Sequence, residues 1–169
     1  MGIDIHVKIC KYDEESNFYK EICLYRFSQI LNKNIKIDPY NFRNYEMFEG
    51  MQDGDENDGY GTFPWRPILL NSLEPNLREE MQKEMDTAGV YGFYEISFPA
   101  IENYLLKYPY VVDYDSPEWE LYDKGEMPKP VKENPIKRFY KICQSYADFA
   151  TENYITFESD FKLLIWFDH

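Results

Sequence analysis

The closing stretch, Phe161 to Asp168, carries apolar side chains on both faces of an extended chain. Read with a period of two, Leu163, Ile165 and Phe167 point one way, and Leu164 and Trp166 point the other. A strand that is apolar on both sides belongs in the middle of a sheet that is covered above and below. The opening stretch is divided differently. Ile3, Ile5, Val7 and Ile9 share one face, while Asp4, His6, Lys8 and Cys10 share the other. First and last strands are expected as neighbours, which brings Asp4 and His6 near Asp168 and His169.

Between these ends the signals alternate. Asp13 to Asn17 is a polar turn, and Phe18 to Arg26 reads as a second strand, antiparallel to the first. Phe27 to Ile37 predicts a short helix or turn followed by a brief strand at Ile35–Ile37. Pro39 opens a helix over Tyr40–Glu49, with Gly50 as its stop. Asp53 to Gly61 is a loop that runs on through Pro64-Trp65-Arg66-Pro67. Pro75 starts a helix with Leu77, Met81 and Met85 on one side and Gly89 as its stop. A strand over Val90–Phe98 leads into a short helix capped by Ser97 and closed by Pro109.

Val111 to Pro130 mixes acids, prolines and aromatics without a period and reads as a long surface excursion. The strongest amphipathic helix spans Asn134 to about Asn153, with Asn134 as cap and Pro135 in the first turn. Another strand is expected at Tyr154–Phe157. The expected fold class is α+β: a mainly antiparallel sheet built from both chain ends, with helices packed on one face. At 169 residues the chain is expected to form one globular domain over 1–169.

Charge narrows the function classes. Eighteen Lys and Arg stand against 31 Asp and Glu, a formal net charge of −13. Such a field repels phosphate backbones, and the short stripe Lys137, Arg138 and Lys141 is too small a basic patch to bind nucleic acid directly. An acidic protein can instead dock on a basic surface, including one that another protein uses to hold DNA or RNA. Sixteen tyrosines supply rings with polar tips, which suit half-buried surfaces and binding faces. Cysteines at 10, 23 and 143 are odd in number and lack metal spacing, which points to a reducing compartment. No apolar run is long enough to span a membrane. His6 stands where a myristoylation signal needs Ser or Thr. A cytoplasmic location, no membrane and no cofactor are expected.

Candidate chemistry is sparse. Asp4 and His6 lie two apart on one strand face and, with Asp168, form the candidate metal set; imidazole with carboxylate suits zinc or non-haem iron. The alternative is a structural hydrogen-bond network joining the two chain ends. Amidohydrolases carry a second histidine two residues on, where this chain has Lys8. Asp53, Asp55 and Asn57 imitate a calcium loop, but Asp58 stands at the sixth position and Pro64 at the twelfth, where an EF-hand needs Gly and Glu. Arg43, Tyr45, Trp65 and His6 are the candidate ligand-binding group, in which a guanidinium could hold a phosphate and an indole could stack on a nucleobase. The competing reading is an arginine packed on aromatics and tied to an acid. No nucleophile elbow or phosphate-binding glycine loop is present.

The opening Met-Gly-Ile-Asp-Ile-His at 1–6, the run Arg43-Asn44-Tyr45-Glu46-Met47-Phe48 and the closing Leu164-Ile165-Trp166-Phe167-Asp168 together resemble a loosely defined family of uncharacterised bacteriophage and bacterial mobile-element proteins. Their order and spread extend the resemblance over most of the chain. Related members carry a histidine-bearing stretch that would fall near Tyr91 to Asn103, where this chain has no histidine, so a shared metal or catalytic role does not carry over. The resemblance implies a phage or prophage accessory protein rather than a metabolic enzyme.

The leading expectation is a non-enzymatic accessory protein that acts by binding, as an acidic inhibitor of a basic host factor that handles nucleic acid or serves defence. The alternatives are a binder that sequesters a nucleotide-like small molecule, and a metal-dependent hydrolase. Oligomeric state is not set by the sequence.

Overall fold

A computed structural model describes residues 3–40, 43–151 and 160–168. β1 (Asp4–Asp13) turns back through Asn17, which adopts a positive φ of 58°, into β2 (Phe18–Glu21). The chain then forms a second hairpin, β3 (Leu24–Ser28) with β4 (Lys33–Ile37), where a short helix or turn was expected ahead of a brief strand. The sheet continues in β5 (Arg66–Pro67), β6 (Val90–Ser97) and β9 (Phe161–Asp168), in the order β2-β1-β9-β6-β5. All these pairings are antiparallel. The fold is α+β, and the central strand is the last one.

β9 is buried along nearly its whole length, as a strand apolar on both faces requires. Ile5, Val7 and Ile9 stand opposite Phe167, Ile165 and Leu163, so the apolar faces of the first and last strands coincide. That face is covered by α1 (Tyr45–Asp53), α3 (Phe98–Lys107) and α5 (Pro135–Thr151), through Met47, Met51, Ile101, Tyr104, Ile136 and Phe139. The other face meets α2 (Pro75–Met85), whose Leu77 and Met81 join Leu73 against Cys10, Leu164 and Trp166. Three helices lie on one face and one helix on part of the other.

Local signals explain most boundaries. Ser97 caps α3, its hydroxyl accepting from Ala100 N at 3.3 Å, and Asn134 caps α5, accepting from Ile136 N at 3.0 Å. α1 departs from the helix expected over Tyr40–Glu49, beginning at Tyr45. Asn44 caps it at Met47 N, and it runs through Gly50 rather than stopping there. Gly50 is needed for space: a Cβ there would stand 2.3 Å from the Tyr60 ring. The stretch 111–130 is not a free excursion either. Its base is an antiparallel pair, β7 (Tyr110–Val112) with β8 (Val131–Glu133), and Val111 and Val112 are buried. Between them stands one short helix, α4 (Trp119–Asp123). The strand expected at Tyr154–Phe157 lies outside the described residues.

Candidate functional site

Polar chemistry gathers first on the sheet face opposite the three helices. Asp4 pairs in register with Asp168, and His6 with Trp166. The His6 ring stacks on the Trp166 indole at 5.5 Å, and Phe93 stacks on its far side at 6.3 Å, a row of three rings across three strands. A bulge places Phe93 there. The β6–β9 register shifts between Tyr91 and Tyr94, with Gly92 at φ 66°, so Phe93 turns to this face and Tyr94 to the other. A Cβ on Gly92 would lie 2.8 Å from Phe167.

The candidate metal residues are in separate contacts. Arg43 forks onto Asp4, with Nη2 3.1 Å from Oδ2, and this pairing holds the Asp4 carboxyl below its usual range. His6 Nε2 lies 2.9 Å from Asp168 Oδ2, and neither Nε2 nor Asp168 Oδ1 completes a hydrogen bond among the described residues. Among those residues no group of three His, Cys, Asp or Glu side chains is placed to hold a metal ion. The expected meeting of the two chain ends is present, and it takes the form of a close approach of His6 to Asp168 and ring stacking. His169 lies outside the described residues.

Beside it is a cleft of about 300 Å³, lined by Asp4, His6, Lys8, Glu21, Lys36 and Trp166. Its two lysines are paired with carboxylates. Lys8 Nζ lies 3.1 Å from Glu21 and 3.3 Å from Glu80, and Lys36 also binds Glu21. These two lysines are committed to carboxylates, so an incoming phosphate would have to break an existing ion pair to use either.

The four residues expected to hold a ligand are not brought together. Trp65 stacks on Tyr94 at 4.0 Å and meets Phe167 edge-on, which puts it on the helix-covered face. His6 is on the opposite face with Trp166. Tyr45 is exposed and leans on Phe48, while Arg43 is occupied by Asp4. The arginine is tied to an acid, which is one half of the alternative reading; among the described residues no ring is stacked under it.

A second polar surface is built from chain segments distant in sequence. Between 113 and 126 the chain carries six carboxylates and one lysine. Inside this acidic stretch Trp119 is half-buried, its Nε1 donating to Asp113 O at 2.8 Å. Tyr114 stacks on the indole with planes 10° apart, and Tyr122 meets it edge-on at 5.4 Å. Both tyrosines are exposed, Tyr114 to 67%. The 53–61 loop braces this excursion: Val112 N donates to Asp58 O at 2.8 Å, Lys129 Nζ to Asn57 O at 3.0 Å, and Tyr108 OH to Glu56 at 2.6 Å. Glu46, Glu49, Asp53, Asp58, Tyr60 and Tyr114 line a cleft of about 250 Å³ where loop, excursion and α1 meet. Lys132 is the cation seated beside it, 2.8 Å from Glu46.

Trp119 was not among the expected site residues. Its signal was the sequence Glu118-Trp119-Glu120, an indole between two acids in a stretch without helical or strand period. Comparison with protein families, with curated proteins and with solved structures found no match for this chain. No helix among the described residues is long and apolar enough to cross a membrane.

Proposed function

We propose that the protein works by binding, as an acidic accessory protein of phage or prophage type that occupies the basic surface of a host nucleic-acid-handling or defence factor. The observation that carries this reading is the aromatic group of exposed Tyr114 and Tyr122 packed on half-buried Trp119, in a stretch that carries six carboxylates between 113 and 126. Exposed aromatic anchors surrounded by charge are the arrangement that concentrates binding energy at protein interfaces. The surrounding carboxylates steer a basic partner and give the association its salt dependence. The fixed Trp119 indole and the β7–β8 base keep the ordering cost of docking low.

The test is capture of host proteins by the immobilised full chain at low and high salt, followed by their identification. The expected result is a basic protein retained at low salt, released at high salt and lost to the paired change Tyr122→Ala with Asp115→Lys. No captured partner, or a complex indifferent to salt and to these changes, would overturn the reading. Of the group that would favour a nucleotide-like ligand, His6 and Trp65 lie on opposite sheet faces, so no second reading is advanced.

A further inference from the structure

The β3–β4 hairpin is hydrogen bonded to no third strand among the described residues. Its base is clasped by a side chain of α5. The Tyr146 hydroxyl of α5 accepts from Leu24 N at 2.7 Å and donates to Ile37 O at 3.0 Å. Beyond that clasp, Ile30 at the tip is 95% exposed, and Tyr25, Phe27 and Leu31 are each more than half exposed. The register sets Tyr25 opposite Lys36 and Phe27 opposite Asn34, so both rings emerge on one face. A lone hairpin is marginal in water unless another surface covers it. This one leaves its large apolar side chains in solvent.

Its charge indicates the occupant. Residues 24–37 contain Arg26, Lys33 and Lys36 and no acid, in a chain of net charge −13. Lys36 is turned toward Glu21, whereas Arg26 and Lys33 have no ion-pair partner among the described residues. Edge-to-edge pairing of two such hairpins would bring like charges together, which is a device against that mode of association. An uncharged partner would leave the cations unpaired. The complementary surface is acidic and bears aromatic rings, and this chain carries one in the excursion around Trp119.

The two surfaces are set apart along α5. The excursion returns to the body at Asn134, the cap of that helix, while the hairpin is clasped at Tyr146, about 18 Å further along the axis. Reciprocal docking about a twofold axis would pair each hairpin with the other molecule's excursion and close the contact. We propose that the hairpin of one copy docks on the acidic aromatic excursion of a second, giving a reciprocal dimer. The dimer covers the same acidic surface that serves the partner proposed above, so a basic partner competes with the hairpin. The hairpin's exposure and charge carry the inference independently of that partner.

Sedimentation velocity of the full chain tests it. A dimer is expected at about 50 mM salt, dissociating as the ionic strength rises to about 0.5 M. Arg26→Glu with Lys33→Glu should give a monomer, and so should Asp115→Lys with Glu120→Lys and Asp123→Lys. All five side chains are exposed, so folding is expected to survive these changes. An equimolar mixture of the two charge-reversed proteins should dimerise again, because each hairpin then faces an excursion of opposite sign. A wild type that stays monomeric at every salt, or reversed proteins that dimerise alone as the wild type does, would overturn the proposal. So would a monomer that floats with phosphatidylserine vesicles through its hairpin. Host-protein capture by the hairpin-reversed protein is expected to persist, which separates failure of the dimer from failure of the partner reading.

Discussion

Lys162 Nζ lies 2.8 Å from Glu95 Oε2, with both side chains at least 95% buried between β6 and β9. The lysine's remaining capacity goes to Ser72 Oγ at 2.9 Å and the face of Tyr19 at 4.0 Å. Glu95 also accepts from Arg66 and from Leu69 N. A buried pair that is satisfied on every side costs little, but either half alone is expensive. Lys162→Met is expected to destabilise the fold by about 3 kcal/mol, measured by urea unfolding. Adding Glu95→Leu should recover much of that loss. Equal stability of Lys162→Met and wild type would refute the argument.

Alanine for glycine inside a helix normally stabilises it by up to about 1 kcal/mol. Gly50 should behave in the opposite way, because the new methyl meets the Tyr60 ring. The expected cost of Gly50→Ala is about 1–3 kcal/mol, the usual range for overpacking. Tyr60→Ala in the same chain should reduce that cost, and denaturant midpoints of the two proteins measure it.

Tyr146→Phe removes the clasp of the β3–β4 hairpin and leaves Leu24 N and Ile37 O without their hydroxyl. The expected loss is about 1–2 kcal/mol. Amide exchange should accelerate across residues 24–37 and stay unchanged through the middle of α5. Uniform acceleration over the whole chain would mean that Tyr146 supports the core rather than the hairpin.

Burial pushes the thiols of Cys10 and Cys143 well above their ordinary range. Cys23 is half-buried and shifted the same way, by burial and then by Glu21. In the folded protein a disulfide reagent should label one thiol, slowly, and Cys23→Ser should abolish that signal. All three thiols should react in urea. Rapid labelling of Cys10 or Cys143 would contradict their placement in the core.

The Asp13 carboxyl is held down to about 2 by a hydrogen bond from Lys20 and then by Ser16. Its ordinary value is 3.8, so the folded form binds the proton less readily than the unfolded chain. The stability that this turn contributes is therefore present above about pH 4 and is lost as the pH falls toward 2. Carboxyl NMR should place the Asp13 midpoint near 2, and Lys20→Ala should raise it.

The strands at the two chain ends were legible because their alternation is unbroken and a one-residue slip would expose every apolar side chain of β1. The hairpin at 24–37 was not, because Asn32 and Asn34 looked like interruptions; Asn32, at φ 48°, is instead the left-handed residue its turn requires. Gly50 was read as a stop because glycine more often ends helices than makes room for a ring. In 111–130, Val111 and Val112 form too short a run to announce a buried strand. For the site, two residues apart on β1 guaranteed a shared face for Asp4 and His6. The face taken by Trp65 depended on pairing with β6 and on the bulge at Gly92, neither of which leaves a local periodic trace.

The position of β9 has a consequence for assembly in time. β1 and β6 do not bond to each other, and each completes its ladder on β9. Translation at roughly 5–20 residues per second leaves β1 waiting for on the order of ten to thirty seconds before its partner emerges. Throughout that interval the edge of β1 that pairs with β9 has no partner strand. The centre of the sheet is therefore closed through contacts distant in sequence, the kind that form slowly.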